Sequence, residues 1–474
     1  MTIQGTGQQA LQSAQIRLAK HYVNKLRQAN GAVKRGQQKH SYWVSLIDQD
    51  WMQIQKWQKW AAAGSSDDLE RAQLCTHLSL AANELLRVRQ SPPERLLWLE
   101  QALAAAQRVG DGEAERLCLF QLGQTLFYMG RADEAERYGR TLLDLARQAD
   151  DQPNLGHAWY TLGSVALHRG TLAEAEEAFK QCLAVFEPLG DQIEMGRAYQ
   201  GLGRALMFRG DSRAAHPYFE RYLHVVETHG NEAELSTAYI TLNNVLINLN
   251  DFQPAKIYAE RAVEVCRRTG FQRILPTALL CLGVCEAELG DLDAAAEHYE
   301  EALDLGRSIN AMGGIIDILR YLADARARQG RLDEAFAHLQ EALALSREGR
   351  ILYYLVEVCA ALAWWYAERD ELSEARATLR EGIDYAFEIG SDNFLARVLL
   401  SAAQVWLHAG EAESAARWLG LLSGYAEHLE TRRVEPLKAA ATGSLGAQRF
   451  QELYEAGKTL LLEDALKGIA QAVA

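Results

Sequence analysis

Hydrophobic residues along most of this chain recur every three or four positions, the spacing that places them on one face of an α-helix. The segment from Gly156 to Gly190 shows this pattern twice, with Gly170 between the two halves. The first apolar set is Trp159, Leu162, Ala166 and Leu167, and the second is Leu172, Ala175, Ala178, Phe179 and Leu183. We therefore predict two helices, named helix A and helix B, joined by a tight turn at Gly170.

The same unit recurs every 40 residues. A residue that tolerates a left-handed backbone occupies each turn, at Gly130, Gly170, Gly210, Asn250, Gly290, Gly330, Asp370 and Gly410. Alanine follows five places later in all eight units, at Ala135, Ala175, Ala215, Ala255, Ala295, Ala335, Ala375 and Ala415. Because a larger side chain would overpack a close crossing of helices A and B, the alanines predict such a crossing. A repeat of this kind predicts a solenoid whose units pack only on their neighbours.

The residue after several of the turns predicts a cap for helix B. Thr171, Asp211, Asp251 and Asp291 can each accept a hydrogen bond from a free backbone N–H at the helix start.

Several units resemble the tetratricopeptide repeat. The residues that carry the resemblance are Trp159, Leu162, Gly163, Ala175 and Phe179, then Tyr199, Leu202, Gly203, Ala215 and Phe219, and then Leu282, Gly283, Ala295 and Tyr299. The resemblance covers residues 111–430, with a period longer than the usual one of about 34 and without the usual closing proline. It implies an all-α, right-handed superhelical solenoid of antiparallel helix pairs.

Both ends resemble the helical sensor region of bacterial STAND-type signalling NTPases and transcription regulators. The residues that carry this second resemblance are His21, Tyr22, Leu46 to Trp51, Trp57 and Trp60, and near the other end Leu445, Gly446, Phe450, Tyr454, Gly457, Lys458 and Leu460 to Ala465. We expect such a sensor without its NTPase domain. The expected organisation is a basic, Trp-rich helical cap over residues 1–70, an irregular first repeat over 71–110, eight repeats over 111–430 and capping helices over 431–474.

The charge is unevenly distributed. The net charge of the chain is −14, but residues 1–60 hold nine Lys and Arg against two acidic residues, Asp48 and Asp50. The remaining 40 basic and 61 acidic residues give the rest of the chain a net charge of −21, which repels nucleic acid, so we expect no nucleic-acid partner. For the basic head three alternatives stay open: a solvated helical surface, a contact surface for an acidic partner or nucleic acid, and a docking surface for an effector or NTPase module.

The cysteines, the first ten residues and the lengths of the apolar runs indicate where the protein is located. The seven cysteines lack paired short spacings, and the first ten residues are polar, which together predict a reducing cytoplasm. No run approaches the roughly 18 apolar residues of a membrane span, so no membrane association is expected.

Patterns that indicate catalysis or metal binding are weak. Gly457, Lys458 and Thr459 match the end of a phosphate-binding loop, but Glu452 occupies the place of its first glycine. Cys281 and Cys285 lie one helical turn apart without a second pair, which favours core packing over a metal site. We predict no catalytic residues, no metal and no cofactor, and hence no enzyme.

The resemblance to tetratricopeptide repeats implies a ligand-binding concave wall lined by helix A. Counting from the small residue in each helix A gives the candidate binding residues Tyr128, Tyr160, His168, Arg197, Gln200, Arg204, Phe208, Asn244, Asn248, Arg320 and Asp324. Asn offers a donor and an acceptor to a peptide backbone, and Arg can pair with a carboxylate. The alternative is that these residues are ordinary solvated surface.

These patterns predict a non-catalytic sensor or scaffold that binds another protein or an extended peptide and relays the binding to an effector. The alternative is a regulatory receptor in which a peptide or small inducer changes the curvature of the superhelix.

Overall fold

The computed structural model of the chain describes residues 3–34, 40–230, 232–270, 273–309, 311–428 and 431–472. In these ranges the regular structure is entirely helical, which confirms the predicted all-α class. The chain divides into two compact units, Met1–Arg209 and Gly210–Ala474.

The first unit contains ten helices in its described part. They are α1 (Ile3–Lys34), α2 (His40–Ala63), α3 (Leu69–Leu80), α4 (Asn83–Arg89), α5 (Pro92–Val109), α6 (Gly112–Tyr128), α7 (Ala132–Gln148), α8 (Gln152–Arg169), α9 (Leu172–Leu189) and α10 (Gln192–Phe208). Helices α6, α8 and α10 are A helices of the repeat. Because only a few residues join α6 to α7 and α8 to α9, the members of each pair run antiparallel and pack along their length.

The second unit continues the pattern and ends in a different helical segment. Its helices are α11 (Ser212–His229), α12 (Glu232–Asn248), α13 (Phe252–Thr269), α14 (Leu275–Leu289), α15 (Leu292–Ser308), α16 (Met312–Arg328), α17 (Leu332–Glu348), α18 (Leu352–Glu368), α19 (Leu372–Ile389), α20 (Asp392–His408), α21 (Ala412–Leu422), α22 (Thr431–Leu445), α23 (Ala447–Gly457) and α24 (Leu462–Ala472), with a 3₁₀ segment at Ser423–His428. The A helices here are α12, α14, α16, α18 and α20.

The turn between helices A and B is left-handed in every repeat. All eight turn residues have positive φ, including the two that are not glycine, Asn250 at 58° and Asp370 at 62°. This conformation costs an L-residue about 1–2 kcal/mol, less for Asn and Asp, so the 40-residue spacing reflects a backbone requirement.

Asp370 provides a test of that requirement. We expect Asp370→Gly to raise the free energy of unfolding of the second unit by about 0.5 kcal/mol and Asp370→Ala to lower it by about 1 kcal/mol, because only glycine adopts positive φ without a Cβ clash. Thermal unfolding of the two variants measures the difference. Equal melting temperatures for the two would contradict it.

The eight alanines are completely buried, at 0% exposure. In the first unit, Ala135 packs with Leu126 of α6 and Val165 of α8. Close helix packing also requires the small residues of helix A, since a Cβ on Gly283 would collide with the ring of Tyr299. The close helix crossing predicted from these positions is therefore present.

The prediction of helix B caps is right at two positions and wrong at two. Asp211 accepts from the N–H of Ala214 at 2.9 Å and Asp291 from Ala294 at 3.2 Å. Asp251 makes no capping bond, and the hydroxyl of Thr171 instead donates to the carbonyl of Ala166 at 3.2 Å. The Thr171 hydroxyl therefore supplies a hydrogen bond to a backbone carbonyl near the end of α8 instead of capping α9.

Two of the N-terminal tryptophans, Trp51 and Trp57, are core residues. Trp51 and Trp98 stack at 5.7 Å between ring centroids, and Trp57 is 6% exposed. Arg89 lies over Trp51 and pairs with Asp48, and Lys25 pairs with Asp50. Arg35 and Lys39 of the basic head lie outside the described residues. The hypothesis of a docking surface at this end therefore depends on charge and not on exposed tryptophan.

Candidate protein-binding face

Three A helices of the first unit bring candidate residues together around a pocket of about 90 Å³. The lining residues come from α6, α8, α9 and α10, and they are Gln124, Phe127, Tyr128, Tyr160, Ser164, Leu167, Phe179, Gln200, Gly201 and Arg204. We call the side chains of Gln124, Tyr128, Tyr160, Gln200 and Arg204 the pocket face. Since sites for drug-sized ligands hold about 300–1,000 Å³, this pocket suits one side chain of a larger partner.

The pocket has a rigid aromatic base. Phe179 of α9 is 1% exposed, and its ring lies against Gly201 of α10 and Gly163 of α8. A Cβ on Gly201 would collide with that ring. Tyr160 meets the ring of Phe179 edge-on, with 5.9 Å between centroids. The glycines of helix A thus allow a B-helix aromatic ring to reach the pocket.

A half-buried ion pair orients the neighbouring part of α10. Arg197 donates to Glu194 at 3.0 Å, and His157 Nε2 lies 3.7 Å from the same carboxylate. Burial acts to raise the pKa of Glu194, but the neighbouring imidazole of His157 and the charge of Arg197 outweigh it, and the pKa is lowered. The His157 ring stacks on Phe120 at 4.1 Å. Arg197 is therefore engaged within the unit.

Arg204 differs from Arg197 in having no ionic partner. Its side chain is exposed, and within the described residues its guanidinium makes no hydrogen bond or ion pair. It lies over the ring of Phe208, 5.9 Å from the centroid, and Phe208 is itself 51% exposed. An unpaired cation beside an aromatic pocket is available to an acidic group of a partner.

The other candidates of the first unit lie around this pocket. Tyr128, Tyr160, Gln200 and Arg204 line it directly, and Tyr128 is 63% exposed. His168 is exposed and meets Phe127 edge-on at 5.8 Å. Sequence reasoning missed Ser164 and Leu167, although they follow Gly163 at the register positions used for the other residues. The roles of Phe179 and Gly201 in the pocket could be recognised only once the packing of the helices was known.

In the second unit, Asn244 and Asn248 are exposed on α12. The expected exposure of Arg320 and Asp324 on α16 is wrong. Asp324 is 8% exposed because Arg433 of α22 donates to it at 2.9 Å. Arg320 packs over Tyr321, 4.2 Å from the ring centroid, with Asp317 at 3.7 Å. The C-terminal segment and the wall's own aromatic residues cover these charges.

Helix packing explains the residues that resemble a phosphate-binding loop, and burial explains the cysteine pair. Gly457 of α23 crosses α21 so closely that a Cβ would collide with the carbonyl of Arg417. Cys281 and Cys285 are buried, and burial raises the pKa of their thiols to about 12 and about 11, so they are protonated at neutral pH. No group of three potential metal ligands occurs in the part of the chain that the structure describes.

Glu286 of α14 forms a buried charge cluster in the second unit. Its carboxylate is 2.7 Å from His298 Nδ1 and 3.2 Å from Lys256 Nζ. The hydrogen bond to Glu286 and its charge raise the pKa of His298 above 6.5, against the opposing effect of burial. A raised pKa contributes stability that is complete below the unfolded pKa and is lost as the pH rises through the folded pKa.

We therefore expect the wild type to lose about 1 kcal/mol of unfolding free energy relative to His298→Gln as the pH rises from below 6.5 through the raised pKa. Glutamine keeps a hydrogen-bond donor but does not titrate in this range. Denaturant unfolding of both proteins across pH measures the difference. A difference that is independent of pH would show that folding does not shift the pKa of His298.

Comparison with known proteins supports the repeat and the fold. One tetratricopeptide-repeat profile matches residues 154–228 and 274–348, and a second matches residues 120–184. No curated protein sequence matches the chain. None of the helices in the described ranges is long and apolar enough to cross a membrane.

Several solved structures are similar in fold. A Rap protein complexed with competence and sporulation factor is 17% identical with a TM-score of 0.52, over 76% of this chain and 98% of that one. The apo form of RapI is 14% identical with a TM-score of 0.49, over 58% and 99%. A STAND protein with a tetratricopeptide-repeat sensor from Pyrococcus horikoshii is 14% identical with a TM-score of 0.45, over 80% and 54%.

The left-handed turns, the buried alanines and the sequence profiles agree on the nature of the repeat. The chain contains tetratricopeptide repeats, matched in residues 120–184, 154–228 and 274–348.

Proposed function

We propose that this protein binds a segment of another protein through the pocket face of its first unit. An aromatic or aliphatic side chain of the partner enters the pocket, and a neighbouring carboxylate pairs with Arg204. The observation that carries the proposal is the unpaired Arg204 beside a pocket of about 90 Å³, a volume that suits one side chain.

The amides around the pocket supply backbone recognition. Gln200 makes no hydrogen bond with another described residue, so its carbonyl and amino groups are both available to an extended chain. Gln124 donates to Thr161 at 3.1 Å, which orients its side chain. Gln124 lies on α6 and Gln200 on α10, so the two amides can each hydrogen-bond to a different peptide group of an extended partner.

The rest of the wall supports binding of an extended partner. Repeat solenoids present long surfaces to their ligands, and the similar Rap structure was solved in complex with competence and sporulation factor. In our proposal the exposed His168 and Phe208 border the pocket face and contact the partner on either side. Occupation of this face is then the signal that the protein relays to an effector.

The experiment uses a displayed random peptide library panned against the full chain. We expect recovered peptides to carry a carboxylate near an aromatic or aliphatic residue. Arg204→Ala should weaken them about tenfold, or about 1.4 kcal/mol, because Arg204 is the charged side chain among the described residues that line the pocket. Isothermal titration calorimetry measures the affinities.

The matched control is Arg140→Ala. Arg140 is an exposed arginine on the B helix α7 of the same unit, paired with Glu136 at 2.5 Å, and its removal should leave binding unchanged. Failure to recover peptides, or equal weakening by the two substitutions, would reject the pocket face as the binding site.

A further inference from the structure

In the second unit, the repeat position that corresponds to Arg204 forms a site that is occupied by another part of the same chain. Asp324 on α16 and Trp364 on α18 are 40 residues apart, at the register position that Arg204 occupies in the first unit. The guanidinium of Arg433 on α22 donates to Asp324 at 2.9 Å and lies 5.0 Å from the centroid of the Trp364 ring. The Arg433 side chain is only 17% exposed and that of Asp324 10%.

This contact is not part of the repeat. Cross-repeat ion pairs of the second unit join residues about one repeat apart, such as Arg307 with Glu341 and Arg347 with Glu381 at 34 residues and Arg397 with Glu357 at 40. Arg433 and Asp324 are 109 residues apart. The chain therefore returns from its C-terminal segment to a helix A that it passed several repeats earlier.

The rest of α22 is attached through one apolar stripe. Leu437 and Ala441 follow Arg433 at intervals of four residues, and they are 4% and 0% exposed in one cluster with residues of α18, α20 and α21. The spacing places all three side chains on one face of the helix. Helix α22 thus places an arginine against α16 and α18 and an apolar pair in a cluster with α18, α20 and α21, as a helical ligand places its anchor residues.

The position of Arg433 is not explained by the stability of its own helix. It lies in the first turn of α22, where a cation is disfavoured by the helix dipole. Asp324 and Trp364 provide the compensating interactions, a charge-assisted hydrogen bond and a cation–π contact. Arg328 also lies 3.7 Å from Asp324 and donates to the Ala287 carbonyl at 2.7 Å.

We propose that the second unit contains a docking site for an amphipathic helix that carries arginine in its first turn and leucine four residues later. The site is formed by Asp324, Trp364 and the apolar surface under Leu437, and α22 is its resident occupant. A partner helix of this chemistry binds by displacing α22. This site is separate from the pocket face and requires a basic partner group where the pocket face requires an acidic one.

The test supplies the occupant in trans. The probe is a fluorescein-labelled synthetic peptide with the sequence of residues 431–445, and the receptor is the full chain with Arg433→Ala and Leu437→Asp, which release α22. We expect fluorescence anisotropy to show binding to this variant at least tenfold tighter than to the wild type, whose own helix competes at a high effective concentration. Circular dichroism and thermal unfolding verify that the receptor is folded.

Two controls distinguish recognition of the arginine by Asp324 from nonspecific binding of the peptide. Adding Asp324→Asn to the receptor, or replacing the arginine of the peptide that corresponds to Arg433 with alanine, should each weaken binding about tenfold or more. If Leu437→Asp prevents folding, Arg433→Ala with Leu437→Ala takes its place. Lack of peptide binding to a folded released variant, equal binding to the wild type, or binding unaffected by Asp324→Asn would each overturn the proposal.

Discussion

Replacing Ala135 or Ala295 with leucine is expected to lower the free energy of unfolding by about 1–3 kcal/mol each. Both residues are 0% exposed, and Ala135 is enclosed by Leu126 and Val165. The added atoms would push helix B away from its partner in the same repeat. Because each repeat is stabilised by its neighbours, the loss should spread to the adjacent helix pairs.

The measurement is the melting temperature of each variant. A loss of 1 kcal/mol lowers it by roughly 2–4 °C for a unit of this size. Ala104→Leu is the control, because Ala104 of α5 is exposed and leucine is a good helix former. If Ala135→Leu and Ala295→Leu melted together with Ala104→Leu, the repeated alanine would not mark a close helix crossing.

Reversing the charge at Arg204 is expected to have the largest effect on binding. Arg204→Glu places a carboxylate where the proposed partner presents its own, and like charges at an interface cost several kcal/mol. Peptides selected on the wild type should lose about 100-fold in affinity, or about 2.8 kcal/mol. The substitution leaves the half-buried pair of Arg197 with Glu194 intact, so we expect the fold to be unchanged.

Charge reversal also predicts a new specificity. A library panned against Arg204→Glu should return peptides with Lys or Arg near the aromatic residue, in place of the acidic residue selected by the wild type. Calorimetry on both sets of peptides with both proteins completes the comparison. Selection of the same acidic peptides by both proteins would show that Arg204 does not contact the partner.

The repeat could be predicted from the sequence because it depends on local backbone and packing requirements. Asn250 and Asp370 have the left-handed turn expected of them, and the eight alanines are buried. The capping prediction was less successful, since Thr171 has two acceptable uses for its hydroxyl and the structure uses the other one. Side-chain hydrogen bonds at helix ends depend on small changes in geometry that a residue type does not determine.

The candidate site could be predicted in part. A fixed register on helix A was sufficient to place Tyr128, Tyr160, Gln200 and Arg204 around one pocket. The same register gave Asp324 as an exposed residue, because periodicity is a local signal and its partner Arg433 is 109 residues away. The contribution of Phe179 was hidden for a similar reason, since its ring reaches the pocket only through the space left by Gly163 and Gly201.

The central claim is that the A helices of the first unit form the binding face. The most direct test places the photocrosslinker p-benzoylphenylalanine at Tyr128, which is 63% exposed beside the pocket, or at Arg140 on the B helix α7. After irradiation with a peptide selected on the wild type, we expect mass spectrometry to find the peptide attached at position 128 and not at position 140. Attachment at position 140 without attachment at position 128 would contradict the claim.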